Sequence, residues 1–191
     1  MTIQLAEGVT LEGYSATKAS DVDSLKSMYT DYLLEEFQRI GEMAFGNPVG
    51  DYLVTSFIRS GGNDAGFVSL DADHYSVEVI YVRPESRGQG LARLVLEETN
   101  RHCPQTLALK TPLSPGGEAL AAGLGLDRAD NSPDGAAKNE EALRIILASI
   151  KGGCPHKSKG RQNGDPRKPC RRCYQTGLRR YASYVIDRYG S

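Results

Sequence analysis

The sequence lacks any long apolar run, and this argues against a membrane-spanning protein. None of its apolar stretches approaches the roughly 18 consecutive residues that a membrane-spanning helix requires. Residues 1–7 also lack the basic start and the apolar stretch of a secretory signal peptide. We therefore expect no membrane span and a cytoplasmic, reducing environment.

Cysteine is scarce as well, with four residues among 191. In a reducing compartment, cysteines are more often metal ligands than disulfide partners. Cys103 stands apart from the others and is predicted to be a buried structural thiol. The remaining three belong to the C-terminal part of the chain, so a metal site is expected there.

The composition that remains is ordinary for a globular protein, with 39% hydrophobic and 25% charged residues. A chain of this length can bury one full core and carry a small appendage. Its charge is uneven, because residues 151–191 contain eleven Lys or Arg and two acids, a net charge of +9. The rest contains 12 basic and 22 acidic residues, a net charge of −10. This break predicts two modules, residues 1–150 and residues 151–191, with different partners.

One stretch, VEVIYVRPESRGQGLA at residues 77–92, changes character halfway. Alternating β-branched residues at 77–82 predict a strand, which Pro84 ends because it has no N–H to donate. From Leu91 the apolar spacing becomes helical. The glycines in RGQG at residues 87–90 allow close approach of a ligand to the backbone. Free N–H groups at a helix start bind anions, and phosphate is the best suited.

The run YVRPESRGQGLA at residues 81–92 resembles the acetyl-CoA signature of GNAT-type N-acetyltransferases. It matches neither the dinucleotide fingerprint nor the P-loop. The resemblance covers roughly residues 10–150 and implies an α/β GNAT fold, with a central mixed, mostly antiparallel, splayed sheet flanked by helices. It also implies acetyl-CoA as co-substrate, with the pyrophosphate on the turn amides and the pantetheine arm along the strand. The positions so implied are Ile80, Tyr81, Val82, Arg87, Gly88, Gln89, Gly90, Leu91 and Ala92.

Spacing and turn residues predict a first strand at residues 10–16, a helix after Ser20, a β-hairpin at 53–70 and a short strand at 106–111. The resemblance implies that this short strand is the splayed partner and that residues 117–126 form the next helix. Residues 143–150 are ambiguous. Helix propensity and spacing favour a helix there, but the resemblance asks for a closing strand, which we predict.

Acyl transfer to an amine requires a base, polarisation of the thioester carbonyl and stabilisation of the leaving thiolate. Main-chain amides at residues 80–82 could polarise the carbonyl. Glu78 is the predicted base, because it is a charged residue among apolar ones and alternation places it on one face with Ile80 and Val82. The alternative is an ordinary solvated or salt-bridged strand residue. Other candidate bases are Asp71, Asp73 and His74.

Several positions depart from the resemblance or remain open. No tyrosine occurs near Ala121, where many members carry a catalytic acid, and Leu126 replaces an aromatic residue. Ser76 stands where many relatives carry Glu. A binding protein that has lost transfer, or an enzyme that modifies nucleobases by another group transfer, therefore stays an alternative. The segment that usually lines the acceptor pocket contributes Tyr29, Tyr32, Glu35 and Glu36.

The C-terminal part contains the pattern C-x-H-x13-C-x2-C. Its C-x2-C half places two thiolates on one metal ion, and the first half adds a thiolate and an imidazole. The segment between the halves is rich in Gly, Pro, Lys and Arg and could not bury a core of its own, so a metal would supply its order. We predict a small Zn²⁺-binding module with the ligands Cys154, His156, Cys170 and Cys173. A disulfide and a redox C-x2-C are the alternatives.

The basic residues of this module suit phosphate, and its exposed tyrosines could stack on bases. Tyr181 and Tyr184 share one side of the predicted closing helix with Val185, so some of the tyrosines are expected to pack against the first module. We expect contact with nucleic acid, so that the amine acceptor lies on a nucleic acid or on a protein bound to it. The alternative is that the basic tail docks on the acidic first module. A homodimer is also left open.

Overall fold

The computed structural model describes residues 2–40, 46–130, 135–148, 154 and 170–190. Within these ranges, no helix combines the length and the apolar character needed to cross a membrane. The elements are β1 (Thr2–Ala6), β2 (Val9–Gly13), α1 (Ala19–Ile40), β3 (Leu53–Ser60), β4 (Asn63–Asp71), β5 (Ser76–Val82), a 3₁₀ turn (Pro84–Ser86), α2 (Leu91–His102), β6 (Ala108–Lys110), α3 (Pro115–Leu124), β7 (Asp127–Ala129), α4 (Gly135–Ala148) and α5 (Arg171–Tyr189).

The seven strands form one mixed sheet in the order β1 to β7. Neighbours from β1 to β5 run antiparallel, with short turns at β1–β2, β3–β4 and β4–β5 and with α1 between β2 and β3. Strands β5, β6 and β7 run parallel and are joined by α2 and α3. Helices cover both faces of the sheet, and this confirms the predicted α/β class with a mixed, mostly antiparallel sheet.

Strands β5 and β6 separate after two paired positions. The two strands pair only at Ser76 with Ala108 and at Val77 with Leu109. From Val79 to Val82, β5 pairs with β4 on one edge, and no described strand pairs with it on the edge toward β6. A cleft therefore begins where the two parallel strands separate.

Two hydrophobic clusters pack on opposite faces of the sheet. The first joins α1, α4 and α5 to β3, β4 and β5, and includes the fully buried Tyr29, Phe67 and Leu178. The second places α2 and α3 against the other face, with Val95 and Leu96 fully buried. The sheet is thus the middle of three layers.

Helix α5 belongs to the first of these clusters. Leu178, Tyr181 and Val185 are buried together with residues of α1, and the ring of Tyr174 stacks on Phe37 at a centroid distance of 4.5 Å. Lys26 of α1 also pairs with Asp187 at 2.6 Å. The division at residue 150 stays a prediction, but the final helix shares the core of the preceding residues.

The predicted closing strand at residues 143–150 is wrong as far as the structure describes it, because residues 143–148 belong to α4. Ala142 is fully buried against α1 and α5, whereas Leu143 and Leu147 are exposed. One buried stripe on an otherwise exposed segment suits a helix, and local propensity agrees. Residues 149 and 150 lie outside the described ranges.

The predicted hairpin, the strand at 77–82 and the helix from Leu91 are confirmed. Strand β1 was not predicted, although it pairs with β2 along its length. Strand β7 was also not predicted. Both strands are short and lie at the edges of the sheet. Strand β1 alternates polar and apolar residues, a signal that the sequence reasoning overlooked, whereas the three residues of β7 are too few to show periodicity.

Candidate functional site

A β-bulge in β5 sets the direction of Glu78. Ser69 pairs with Val79 and Leu70 with Val77, so Glu78 is an extra residue in the ladder. Bulges re-aim side chains and recur beside functional sites. Here the bulge turns Glu78 toward the face covered by α1 and α5, whereas Ile80 packs on the other face. The prediction that Glu78 shares one face of the strand with Ile80 and Val82 is therefore wrong.

Two of the described residues donate hydrogen bonds to Glu78, whose side chain is only 6% exposed. The main-chain N–H of Asn47 donates to Oε1 at 3.2 Å, and Lys110 Nζ donates to Oε2 at 2.5 Å. Glu78 is therefore salt-bridged, as in the alternative to its role as the base. The candidate base has an ammonium group beside it, and that cation can stabilise negative charge nearby.

Lys110 is a site residue that the sequence reasoning missed. Its ammonium also donates to Asp71 at 3.3 Å, so it lies between two carboxylates. Burial alone would lower the pKa of Lys110, but the hydrogen bonds and charges of Glu78 and Asp71 raise it. The side chain therefore stays charged. The only sequence signal was its position in the strand predicted to follow α2.

The three alternative bases, Asp71, Asp73 and His74, lie in different surroundings. Asp71 is buried and accepts hydrogen bonds from the main chain of His74 at 3.1 Å and from its Nδ1 at 3.0 Å. Burial alone would raise the pKa of Asp71, but the bonds from His74 and Lys110 lower it. Asp71 and His74 line the same cavity as Glu78, whereas Asp73 is exposed in the turn.

Two cavities meet at Glu78 and Lys110. One is the cleft between β5 and β6, which is also lined by Tyr32, Ile80 and Leu120. The other has a volume of about 600 Å³ and lies between residues 47–53, α4 and α5. Glu78 and Lys110 line both cavities, so ligands in the two would touch the same pair of side chains.

The open edge of β5 presents main-chain groups to the cleft. Arg83 N–H donates to Ala65 O at 2.8 Å, on the side of β4. Because main-chain groups alternate in direction along an antiparallel strand, those of Tyr81 also face β4. Those of Ile80 and Val82 face the cleft, and Val82 O accepts a bond from Arg87 Nε at 2.9 Å. Of the three predicted strand positions, two thus direct their main chain toward the cleft.

The turn before α2 is open. Gly88 and Gly90 adopt φ values of 77° and 75°, which strongly favour glycine, and a Cβ atom at either position would meet no atom within 4 Å. Gly90 caps α2 without a side-chain hydrogen bond. The first N–H groups of a helix have no partner within it, and those of α2 directly follow these open glycine positions. Leu91 is buried and anchors the helix, and Ala92 is half-buried.

The side chain of Arg87 points away from this turn. It donates to Glu35 at 2.6 Å, and its guanidinium lies over the Tyr81 ring at 5.7 Å from the centroid. The Tyr81 hydroxyl donates to the same carboxylate at 3.1 Å. Gln89 makes a long contact to the main chain of Glu85 at 3.5 Å. At this turn, the main chain offers the anion-binding groups.

The predicted acceptor-pocket residues serve different purposes. Tyr29 is fully buried in the core, and Glu36 pairs with Arg39. Tyr32 lines the cleft, and burial raises the pKa of its hydroxyl, so it keeps its proton. Ala121 is buried in α3 and provides no acid.

Three cysteines form a compact cluster at the start of α5. Cys170 caps the helix, Cys173 lies in its first turn and Cys154 approaches from the preceding segment. Their sulfur atoms lie within 4.8 Å of one another, with Cys170 to Cys173 at 3.8 Å and Cys173 to Cys154 at 3.5 Å. These distances exceed the roughly 2.05 Å of a disulfide bond. They suit tetrahedral zinc, whose 2.3 Å bonds separate two sulfurs by about 3.8 Å.

The environment of the cluster also suits a cation. Burial, together with the hydrogen bond that Cys173 donates to Cys154 and its bond with Cys170, raises the pKa of Cys173 to about 11. A thiolate in this position therefore needs a nearby positive charge, which a metal ion supplies. The predicted fourth ligand, His156, lies outside the described residues. Cys103 is distant in sequence and half-buried.

The basic surface of α5 is only partly as predicted. Arg171, Arg172, Arg179 and Arg180 are exposed. Most of the tyrosines contact other residues of the chain and are not available to stack on bases. Tyr181 is buried, Tyr174 packs on Phe37, and Tyr184 donates to Glu141 at 2.6 Å. Tyr189 is 39% exposed. The basic segment at 157–169 lies outside the described residues.

Comparisons with protein-family models, with curated proteins and with solved structures found no match to this chain. Its function is therefore argued from its own residues.

Proposed function

We propose that this chain is a coenzyme A-dependent acyltransferase of the GNAT type, which moves an acetyl group from acetyl-CoA to an amine. The observation that carries the proposal is the open edge of β5, which leads directly into the glycine turn at residues 87–90. The pyrophosphate would bind the main-chain N–H groups at the start of α2. The pantetheine arm would lie along Ile80 and Val82, and the thioester would reach the cleft beside Glu78.

The reaction assigns roles to the residues of the cleft. The neutral amine attacks the thioester carbonyl, the new C–N bond forms and the C–S bond breaks. Glu78 accepts the proton that the amine loses. Lys110 stabilises the negative charge that develops on the carbonyl oxygen and then on the leaving sulfur. Tyr32, protonated and on the same cleft, is a further hydrogen-bond donor to that charge.

Binding is tested by calorimetric titration with coenzyme A. Gly88→Leu is the informative variant, because its side chain would fill the space where the pyrophosphate would bind. Gly62→Leu is the matched control, since Gly62 has a φ of 82° and equally open surroundings in the β3–β4 turn. Both variants carry the same backbone strain. We expect at least about tenfold weaker binding, 1.4 kcal/mol, for Gly88→Leu alone. If the wild-type protein released no heat with coenzyme A, the proposal would fail.

Transfer is tested by thiol release from acetyl-CoA with a panel of amines. Glu78→Gln should reduce turnover at neutral pH by about tenfold or more, because it removes the proton acceptor. Glu97→Gln, an exposed position on α2, is the control. Unchanged kinetics in Glu78→Gln would remove Glu78 from the mechanism.

A second candidate is a protein that binds coenzyme A without transferring the acyl group. The ion pair between Glu78 and Lys110 favours it, because this carboxylate already has a cationic partner. Retention of coenzyme A, with no thiol release for any amine, would select this candidate.

We also propose that the cysteine cluster binds Zn²⁺. Cys154, Cys170 and Cys173 would supply three thiolates and His156 the fourth ligand. The ion would hold the first turn of α5 to the preceding segment, a structural role in which it leaves no ligand position open.

A further inference from the structure

The larger cavity beside Glu78 has the dimensions of a small-molecule site. Its volume of about 600 Å³ falls within the usual range for such sites. Residues 47–53 form one wall, and Glu141, Tyr181, Val185 and Tyr189 form the opposite wall. Glu78 and Lys110 close its inner end, where it meets the cleft between β5 and β6. A ligand here would contact the proposed base.

The lining of this cavity is acidic. It contains the carboxylates of Asp51, Asp71, Glu78 and Glu141 and the single ammonium of Lys110. With the histidine neutral, the formal charge of the lining is −3, and Arg144 and Arg188, which lie 3.7 Å and 4.0 Å from Glu141, reduce it to −1. Lys110 already bridges Glu78 and Asp71, so it offers little attraction to an anion. The net field favours a cationic ligand and disfavours a phosphate backbone.

Aromatic rings stand at the mouth of the same cavity. Tyr52 is 68% exposed and Tyr189 is 39% exposed, an unusual exposure for such large side chains. The face of a tyrosine ring attracts organic cations. The chain itself provides an example, because the Arg188 guanidinium lies over the Tyr189 ring at 5.4 Å and 4.0 Å from Glu141. A cation is therefore already accommodated at this rim.

We propose that this cavity is the acceptor site of the transferase and that it takes a small aliphatic diamine. The inference rests on the proposed function. One amine would lie beside Glu78, lose its proton to that carboxylate and attack the thioester carbonyl, with coenzyme A leaving as the thiolate. The second amine would stay protonated and would displace the Arg188 guanidinium from its position between Glu141 and the ring of Tyr189. The exposed Arg172, Arg179 and Arg180 lie outside the lining, so the basic face of α5 is separate from the acceptor.

Three ligands of equal chain length test the charge preference. Butane-1,4-diamine, butylamine and 4-aminobutanoate carry charges of +2, +1 and 0 near neutral pH, and each is titrated into the full chain without coenzyme A. We expect the diamine to bind best and 4-aminobutanoate worst, with the difference shrinking as salt increases. Equal affinities, or a preference for 4-aminobutanoate or for a short oligonucleotide, would overturn the inference.

Glu141→Gln tests the outer end of the site. It should weaken diamine binding by about fivefold and butylamine binding less, because one carboxylate charge near the surface contributes up to about 1 kcal/mol. Glu140→Gln changes the adjacent, exposed residue of α4 and should change neither affinity. Equal effects of the two variants would also overturn the inference.

The two proposals fail separately. If coenzyme A binds and the diamine does not, the acceptor class is wrong and the transferase proposal stands. If the diamine binds at Glu141 and coenzyme A does not, the cation site stands and the transferase proposal falls.

Discussion

The hydroxyl of Tyr181 donates to the side-chain oxygen of Asn47 at 3.3 Å, across 134 residues of sequence. The same oxygen accepts a bond from Tyr29 at 3.0 Å, and the main-chain N–H of Asn47 donates to Glu78. Tyr29, Asn47 and Tyr181 are all buried. Helix α5 is therefore joined to the polar centre of the site through one asparagine.

Replacing Asn47 should show how much the stability of the fold depends on its hydrogen bond with Tyr181. Tyr29 can donate instead to Gly46 O, at 3.1 Å, whereas Asn47→Leu leaves the Tyr181 hydroxyl without its acceptor. We expect Asn47→Leu to lower the free energy of unfolding by about 1–3 kcal/mol, as for an unsatisfied buried group. Adding Tyr181→Phe should recover part of this loss. Urea unfolding of the two single variants and the double variant measures the coupling, and purely additive effects would contradict it.

Removal of the metal should destabilise the chain. A ligand present at about 100 times its dissociation constant contributes about 2.7 kcal/mol to stability, so zinc at that concentration should raise the unfolding free energy by this order. We expect native mass spectrometry to find one zinc ion for each chain and a chelator to lower the melting temperature.

Two cysteine variants show where the zinc binds. Cys173→Ser should abolish the response to the chelator, whereas Cys103→Ser, which changes the cysteine outside the cluster, should retain it. A wild-type melting curve that is unaffected by chelator and by added zinc would exclude a structural metal.

Helix α5 should unfold together with the sheet. Leu178 is fully buried in the cluster that contains α1 and β5, so Leu178→Ala should cost about 2–5 kcal/mol of unfolding free energy. Arg179→Ala changes the next, exposed residue and should stay within about 0.5 kcal/mol of wild type. Hydrogen exchange at β5 amides reports the outcome. Faster exchange in α5 alone would mean that residues 151–191 fold as a separate module.

Acid should weaken the fold through Asp71. Hydrogen bonds from His74 and Lys110 lower its pKa despite burial, so its carboxylate stabilises the folded state above its unfolded pKa of about 3.9. This stabilisation is lost as the pH falls through the lower, folded pKa. We expect unfolding free energies of the wild type to drop more steeply between about pH 5 and pH 3 than those of Asp71→Asn. Asp73→Asn, at an exposed position, should follow the wild type.

Prediction from sequence succeeded where neighbours along the chain carry the signal. Alternation at residues 77–82 and helical spacing after Leu91 are local patterns, and the structure contains the strand and the helix. Spacing alone also brought together the three described cysteines. At residues 143–148, the local helix propensity was the better guide than the resemblance, which asked for a strand.

The direction of Glu78 could not be read from its own strand. It depends on the bulge that places one extra residue between Val77 and Val79, and that bulge exists only in the register with β4. Lys110 was missed for a related reason. Its role comes from the separation of β6 from β5, which brings its ammonium to Glu78 and Asp71.

The sequence by itself determined the strand, the glycine turn and the helix at residues 77–92, because backbone conformation there follows from side-chain spacing, Pro84 and glycine. It also determined the grouping of the cysteines. Only the tertiary structure decided that α5 packs into the main core, that Glu78 faces α1 and α5, and that two cavities share one wall. These features depend on register and on contacts between distant residues, such as Asn47 and Tyr181, which local periodicity does not encode.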